Sequence, residues 1–311
     1  MKTCIIVPSH INNINRTKLL ICCLQSLINQ TNKIPIYLSI SFSTDLDKTL
    51  FNKLIEPNLL NNILICVLYQ KRQTSQFRHI EKVLDYIKNI YQYVMFCDDD
   101  DTYEINRVET FMYMIEYGRT CCPKDIIFVG VYESDLQKGN HSLSFYEYWS
   151  YCVNIQFIIN FINIIKIHNY DYIIDNNMCD VLFSTYLRHL NEKHSFISTN
   201  EKLYNYNINE YSITQINKKN NKIKNSIVLK DEKNFVKFIQ GLNESLEEYF
   251  EAIKNNIFVI YTMRKIPFEN MLNELLKENY KYKNNINIKI IEKIRFEYDN
   301  IKYLCDILYQ I

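Results

Sequence analysis

The sequence predicts an α/β fold: a mostly parallel central sheet flanked by helices, followed by a mainly helical C-terminal extension. Three observations predict it. Apolar, strand-like runs alternate with helix-patterned segments through four strands. The fourth run, Tyr93-Val94-Met95-Phe96-Cys97, ends abruptly in four consecutive carboxylates, Asp98 to Asp101. Hydrophobic residues make up 47% of the 311 and aromatic residues 14%, which is ample for one large domain with an appendage, or for two domains.

The elements follow in order. Lys2 to His10 is an apolar strand that runs into a Pro8-Ser9-His10 turn. Asn15-Arg16-Thr17 precedes a helical pattern with Leu19, Leu20, Cys23, Leu24, Leu27 and Ile28 on one face. Ile36 to Phe42 is the second strand, and Ser43-Thr44-Asp45 caps a helix over Leu46 to Ile55 that Pro57 ends. Asn62 to Tyr69 is the third strand, and Phe77 to Tyr91 a helix with Ile80, Val83, Leu84, Ile87 and Ile90 at helical spacing. After the acidic run come a strand over Asp125 to Val131, an aromatic stretch over Phe145 to Tyr151, a helix over Val153 to Ile167, and a further helix after Asp180. Phe145 to Tyr151 reads either as core or as an acceptor platform. Lys218 to Lys224 is polar and basic and marks a linker over 218–225, dividing a domain over 1–217 from a module over 226–311. That module reads as helices over Asn243 to Lys254 and Phe268 to Tyr280 around a strand at Ile257 to Thr262. A last helix carries Ile290, Ile294, Ile301, Leu304 and Leu308. The module holds no acid–base cluster and reads as a packing or homo-oligomerisation element.

Composition excludes several classes. Lys+Arg 36 against Asp+Glu 35 leaves a net charge of +1, so no global field favours nucleic acid. With Gly 4, neither a GxGxxG fingerprint nor a Walker P-loop occurs. The ten Cys show no CxxC and no zinc-ligand spacing. No apolar run reaches membrane-spanning length, and no leader is visible, so a soluble cytoplasmic setting is expected.

Four adjacent carboxylates repel one another, and a folded chain keeps them together only where a cation neutralises them. At the carboxyl end of a strand in an α/β sheet, a divalent metal with a phosphate-bearing ligand meets that need. The alternative is a solvated acidic turn that merely stops the strand.

Ile5 to His10, then Cys23-Leu24-Gln25-Ser26-Leu27-Ile28-Asn29-Gln30-Thr31, resembles the opening of family 2 glycosyltransferases of the GT-A fold, a Rossmann-like sheet. Phe96-Cys97-Asp98-Asp99-Asp100-Asp101 resembles that family's D-x-D-D motif, and Tyr103, Asn106, Arg107 and Val108 its trailer. The base-reading Asp-Asp-Gly-Ser-like turn is not matched: Ile40 to Asp45 keeps only Ser-Thr-Asp. The late Arg or His that touches the diphosphate is replaced by Asn207 and Asn209.

The resemblance implies a metal-dependent, inverting transfer of a sugar from a nucleotide-diphosphate donor to a glycan or other hydroxyl-bearing acceptor. Mn²⁺ or Mg²⁺ would be held by Asp98, Asp100 and Asp101, with Asp98 and Asp99 also meeting the nucleotide. Pro8, Ser9, His10 and Ser41 would line the nucleotide, and Arg78 or Lys71 would touch phosphate. Asp180 would be the base, with Asp171 and Asp175 as fallbacks; a helix N-cap is the other reading of Asp180. A nucleotidyltransferase, or a lapsed sugar-binding protein of the same fold, remains as the alternative.

Overall fold

The computed structural model describes residues 2–55, 57–71, 73–123, 126–134, 137–138, 141–142, 147–193, 195–207, 246–276 and 288–310. The chain divides into two compact units, Met1–Asn209 and Glu210–Ile311. The predicted linker over 218–225 lies outside the described residues.

The first unit opens with β1 (Thr3–Ile11), α1 (Ile14–Ile28), β2 (Ile36–Phe42), α2 (Asp45–Leu54), α3 (Pro57–Leu60), β3 (Ile65–Tyr69), α4 (Gln76–Ile87) and β4 (Tyr93–Phe96). Caps set the helix starts. Asn13, Thr44 and Ser75 each accept the backbone N–H three residues on, from Arg16, Asp47 and Arg78. The Asn13 cap starts α1 earlier than the apolar pattern suggests, which puts Arg16 in its first turn. Pro57 opens α3, where its missing N–H costs nothing. Helix α4 stops at Ile87, so Ile90 lies beyond it and is exposed.

Next come β5 (Thr102–Tyr103), α5 (Arg107–Cys121), β6 (Phe128–Glu133), the short ribbon β7 (Gln137–Lys138) with β8 (His141–Ser142), and β9 (Tyr151–Asn154). Then follow α6 (Ile155–Ile167), α7 (Asp171–Ile174), α8 (Cys179–Lys193), β10 (Ser195–Thr199) and β11 (Tyr204–Asn205). The predicted helix over Val153 to Ile167 is corrected at its start. Tyr151, Cys152 and Val153 form an antiparallel strand between β4 and β6, and Asn154 then caps α6 by accepting the Gln156 N–H. Pairing on both edges overrides a helical apolar pattern here.

Among the described residues the main sheet has seven strands, in the order β10-β6-β9-β4-β1-β2-β3. All its pairings are parallel except those of β9. The sheet is mixed α/β and GT-A-like. The chain moves outward from β1 through β2 to β3, then returns past β1 to β4. Right-handed crossovers therefore place α1 and α2 on one face and α4 on the other, and the switch point lies between β1 and β4.

Pro8 in a central strand sharpens that switch point. Ile5 bonds toward β2 (N–H to the Pro35 carbonyl, 2.9 Å) and Ile6 toward β4 (from the Cys97 N–H, 3.1 Å). Alternation makes Pro8 face the β4 side, where pairing has already ended at Ile6 opposite Phe96. The missing donor falls where no acceptor waits. From there β1 continues along β2 alone, and the switch-point crevice general to open α/β sheets falls beside the end of β4.

The second unit contains α9 (Leu246–Arg264), α10 (Phe268–Leu276) and α11 (Ile288–Gln310). The strand predicted at Ile257 to Thr262 is helix, inside α9. Its buried residues Ile257, Phe258, Tyr261 and Thr262 follow i, i+1, i+4, i+5 spacing, which a strand does not produce. Ile290, Ile294, Ile301, Leu304 and Leu308 are buried along α11. Among the described residues, no helix is long and apolar enough to cross a membrane.

Candidate active site

The acidic run lies in the β1/β4 crevice, and its carboxylates alternate. Asp99 and Asp101 are each 1% exposed, whereas Asp98 and Asp100 are half-buried. Asp99 uses both oxygens: Oδ2 accepts the Ser9 hydroxyl at 2.6 Å, and Oδ1 pairs with Arg16 Nη2. Asp101 also uses both, accepting the Tyr204 hydroxyl at 2.8 Å and the Asn207 N–H at 2.7 Å. Asp98 accepts Gln76 Nε2 at 2.9 Å and the Tyr148 hydroxyl, both on Oδ1. Asp100 Oδ2 pairs with Arg16 Nη1 at 2.7 Å. One guanidinium thus bridges two neighbouring carboxylates.

Crowding shows in the titration. Burial, then the charges of Asp101 and Asp100, drives Asp98 well above the usual carboxylate range, against the Tyr148 hydrogen bond. Burial raises Asp99 too, although Arg16 pulls it down. Asp101 is pushed up to about 7, by burial first and by Asp100 next. Burial is the leading cause for all three, and repulsion from Asp100 adds to each.

Each partner has its own support. Ser9 follows Pro8 on β1, and Gln76 is the first residue of α4. Tyr148 stands in a 3-10 turn, Tyr148–Ser150, that leads into β9. Tyr204 pairs with Tyr103 across β11 and β5, and its ring stacks on Trp149 at 4.0 Å between centroids. Beneath it lies a buried ion pair, Arg107 with Glu133. Glu133 Oε1 also accepts the backbone N–H groups of Leu203 (3.0 Å) and Tyr204 (3.4 Å). Tyr148, Trp149 and Tyr151 are at most 4% exposed, so these residues are core and the acceptor-platform reading is corrected for them; Phe145 and Tyr146 lie outside the described residues. Trp149 serves the site indirectly, by seating Tyr204.

A second polar network runs under the ends of β1 and β2. His10 is hydrogen-bonded through Nδ1 to Ser41 (2.8 Å) and through Nε2 to Ser43 (2.9 Å). His79 sits between Ser39 (2.8 Å) and Ser41 (3.0 Å). Gln70 donates to Ser39 at 3.0 Å. Burial lowers His79 to about 3, and burial followed by Arg16 lowers His10, so both rings are neutral at pH 7.

Arg78 turns to other acids. Its guanidinium binds Asp175 (2.7 Å), Glu81 (2.8 Å) and Asp171 (3.4 Å), which also occupies the two fallback bases. Lys71 is exposed. Asp180 is the second residue of α8, inside the first turn instead of at the cap position, and its Oδ1 accepts the Val181 N–H at 2.7 Å. Its carboxylate is near enough to Tyr148 to help raise that phenol, after burial and Asp98. Tyr148 therefore connects Asp180 electrostatically to the acidic run.

The structure joins Ser9 to Asp99, which Arg16 links to Asp100, and joins His10 to Ser41, with Arg16 near enough to lower His10. Sequence reasoning missed Arg16, Gln76, His79, Tyr148, Tyr204 and the backbone of Asn207. A charge balance calls for some cation beside four carboxylates at a strand end, but only the fold shows that it is Arg16. Among the described residues, no three His, Cys, Asp or Glu side chains converge on one point. As the more accessible pair, Asp98 and Asp100 nevertheless suit a cation that takes one or two carboxylates and completes its shell with phosphate and water.

Comparison with known proteins agrees with this architecture. The sequence profile of "Glycosyl transferase family 2" matches residues 4–177, a span that holds Pro8 to His10, Arg16 and the acidic run and stops short of Asp180. No curated protein sequence matches the chain. Among solved structures, the chain is similar to S. aureus TarS, at 14% identity over 98% of this chain and 55% of that one, with a TM-score of 0.45. TarS 1-349 in complex with UDP-GlcNAc gives 14% identity, 98% and 91% coverage and a TM-score of 0.48; the complex with UDP gives 14%, 98%, 90% and 0.47. This chain therefore spans about half the length of full TarS. The profile match covers more than half of the residues, and by it the chain belongs to glycosyl transferase family 2.

Proposed function

We propose that the protein transfers a sugar from a nucleotide-diphosphate donor to an acceptor hydroxyl, in one inverting displacement that depends on Mn²⁺ or Mg²⁺. The observation that supports this reading is the alternation in the acidic run: Asp99 and Asp101 are 1% exposed with both carboxylate oxygens on protein donors, whereas Asp98 and Asp100 are half-buried and the more accessible pair. This narrows the expected metal ligands from Asp98, Asp100 and Asp101 to Asp98 and Asp100. When bound, the cation supplies charge that stabilises the departing diphosphate.

The chain's own residues do the rest. Gln76 and Tyr148 hold Asp98 in orientation, and Tyr204 and Asn207 pin the loop that carries Asp101. Pro8 leaves the β4 side of β1 unpaired; of the expected nucleotide contacts His10 is the partly exposed one, while buried Ser9 and Ser41 support the site through Asp99 and His10. His10, held through both ring nitrogens by Ser41 and Ser43, offers an uncharged ring face. Asp180 takes the acceptor proton as the hydroxyl attacks from the face opposite the diphosphate.

The test is a panel of nucleotide sugars, UDP-GlcNAc among them, screened by thermal shift with and without Mn²⁺. The true donor raises the melting temperature, because it binds only the folded state. With that donor, Asp98→Asn and Asp100→Asn should lose at least about a hundredfold in turnover. Asp180→Asn should lose turnover yet still bind donor. Full turnover in the Asp98→Asn/Asp100→Asn double variant would end the proposal, and pyrophosphate release from a nucleoside triphosphate plus a sugar phosphate would replace it with a nucleotidyltransferase.

A further inference from the structure

We propose that Arg16 is a resident counter-ion that competes with the divalent cation for Asp100, so that the cation is taken up together with the diphosphate instead of alone. This rests on the metal-dependent reading above and goes beyond it.

The geometry is asymmetric. Arg16 Nη2 holds Asp99, which is 1% exposed and has its other oxygen on Ser9. Arg16 Nη1 holds Asp100 at 2.7 Å, with that side chain 11% exposed against 1% for Asp99. One arm of the fork is anchored in the core and the other lies on a carboxylate that a ligand can reach. A guanidinium and a metal ion repel each other, so a cation arriving at Asp100 weakens the Nη1 contact. Release of Nη1 alone would hand Asp100 to the cation and leave that arm, still tethered through Asp99, facing the crevice where phosphate oxygens arrive.

The position of Arg16 supports a function over incidental surface pairing. It lies in the first turn of α1, where the helix dipole disfavours a cation. Its side chain is only 12% exposed. A residue that breaks a local rule is kept for a tertiary reason, and the four carboxylates supply one. The fork also demands Arg: a lysine ammonium has no planar pair of donors to span two carboxylates.

The experiment measures Mn²⁺ binding to the full chain, by electron paramagnetic resonance of free Mn²⁺, with and without UDP as the probe diphosphate. Wild type, Arg16→Lys, Arg16→Gln and Asp100→Asn are compared. Wild type should bind Mn²⁺ weakly alone and more tightly with UDP. Both Arg16 variants should bind Mn²⁺ alone about tenfold more tightly, because one charge-assisted hydrogen bond no longer opposes it, and should gain less from UDP. Arg16→Lys keeps the charge and decides the matter if Arg16→Gln does not fold. Tightening in Gln but not in Lys would mean long-range charge alone and overturns the proposal. Equal affinity in wild type and both variants, with Asp100→Asn weakened, also overturns it and leaves the metal-dependent reading standing. No Mn²⁺ binding by any of the proteins, with or without UDP, removes that reading and this proposal with it.

Discussion

Ser9 and Asp99, 90 residues apart in the chain, share a buried 2.6 Å hydrogen bond that ties the far end of β1 to the loop leaving β4. It spans the crevice at the point where the two strands have stopped pairing. Ser9→Ala would leave Asp99 Oδ2 without that donor in a buried place, and stability should fall by about 1–3 kcal/mol. Urea unfolding at constant m-value measures it; an unchanged midpoint would show that the bond does not tie the strands.

The acidic run makes stability depend on pH. Asp101 is held near 7 in the folded protein, above a carboxylate's ordinary value near 3.9, and Asp98 and Asp99 shift the same way. Between about pH 4 and 7 the folded state therefore holds protons that the unfolded chain has shed, so these groups make stability fall as pH rises through that window. His79, lowered to about 3, acts oppositely: its contribution is lost as pH falls below about 6.5. Comparison of wild type with Asp101→Asn isolates the acidic contribution. The variant should gain most in relative stability at pH 8 and least at pH 4.5, in metal-free buffer. A difference that does not change with pH would contradict the raised value.

The Arg107–Glu133 pair is fully buried, with side chains 0% and 1% exposed. Removing one partner leaves an uncompensated charge, and Arg107→Met should cost about 3–5 kcal/mol. Glu133→Gln retains an acceptor for the Leu203 and Tyr204 N–H groups, whereas Glu133→Ala removes it. Denaturant unfolding should therefore rank Ala below Gln. Turnover should fall with it, since Tyr204 carries the support to Asp101. Equal losses in the two Glu133 variants would mean that the carboxylate does not hold β11.

Gly130 is fixed by a close approach. A Cβ there would lie 2.1 Å from the Cys152 carbonyl oxygen, a backbone atom of the neighbouring β9. At Gly118 the added carbon meets only side chains, the Phe128 ring at 2.3 Å and Ile197 at 2.8 Å. Gly130→Ala must push β6 and β9 apart, so it should destabilise by more than Gly118→Ala, whose cost is about 1–3 kcal/mol of overpacking. Melting temperatures of the two variants give the comparison, and the reverse order would refute it.

Local pattern carried much of this protein. The order of β1, α1, β2, α2, β3, α4 and β4 is readable because apolar period and capping residues act over a few positions, as at Thr44 and Ser75. The acidic run at the end of β4 is equally legible, since Tyr93 to Cys97 stops so abruptly. The antiparallel insertion of Tyr151–Asn154 was not legible, because it depends on two partner strands and not on its own apolar spacing. Neither was the helical state of Ile257 to Thr262, whose burial pattern exists only after packing. At the site, sequence located the charges but not their partners. Arg16 meets Asp100 across 84 positions and Tyr204 meets Asp101 across 103, and Arg78 was drawn instead to Asp171 and Asp175. Which cation neutralises which carboxylate is a property of distances that folding sets, and no periodicity along the chain encodes it.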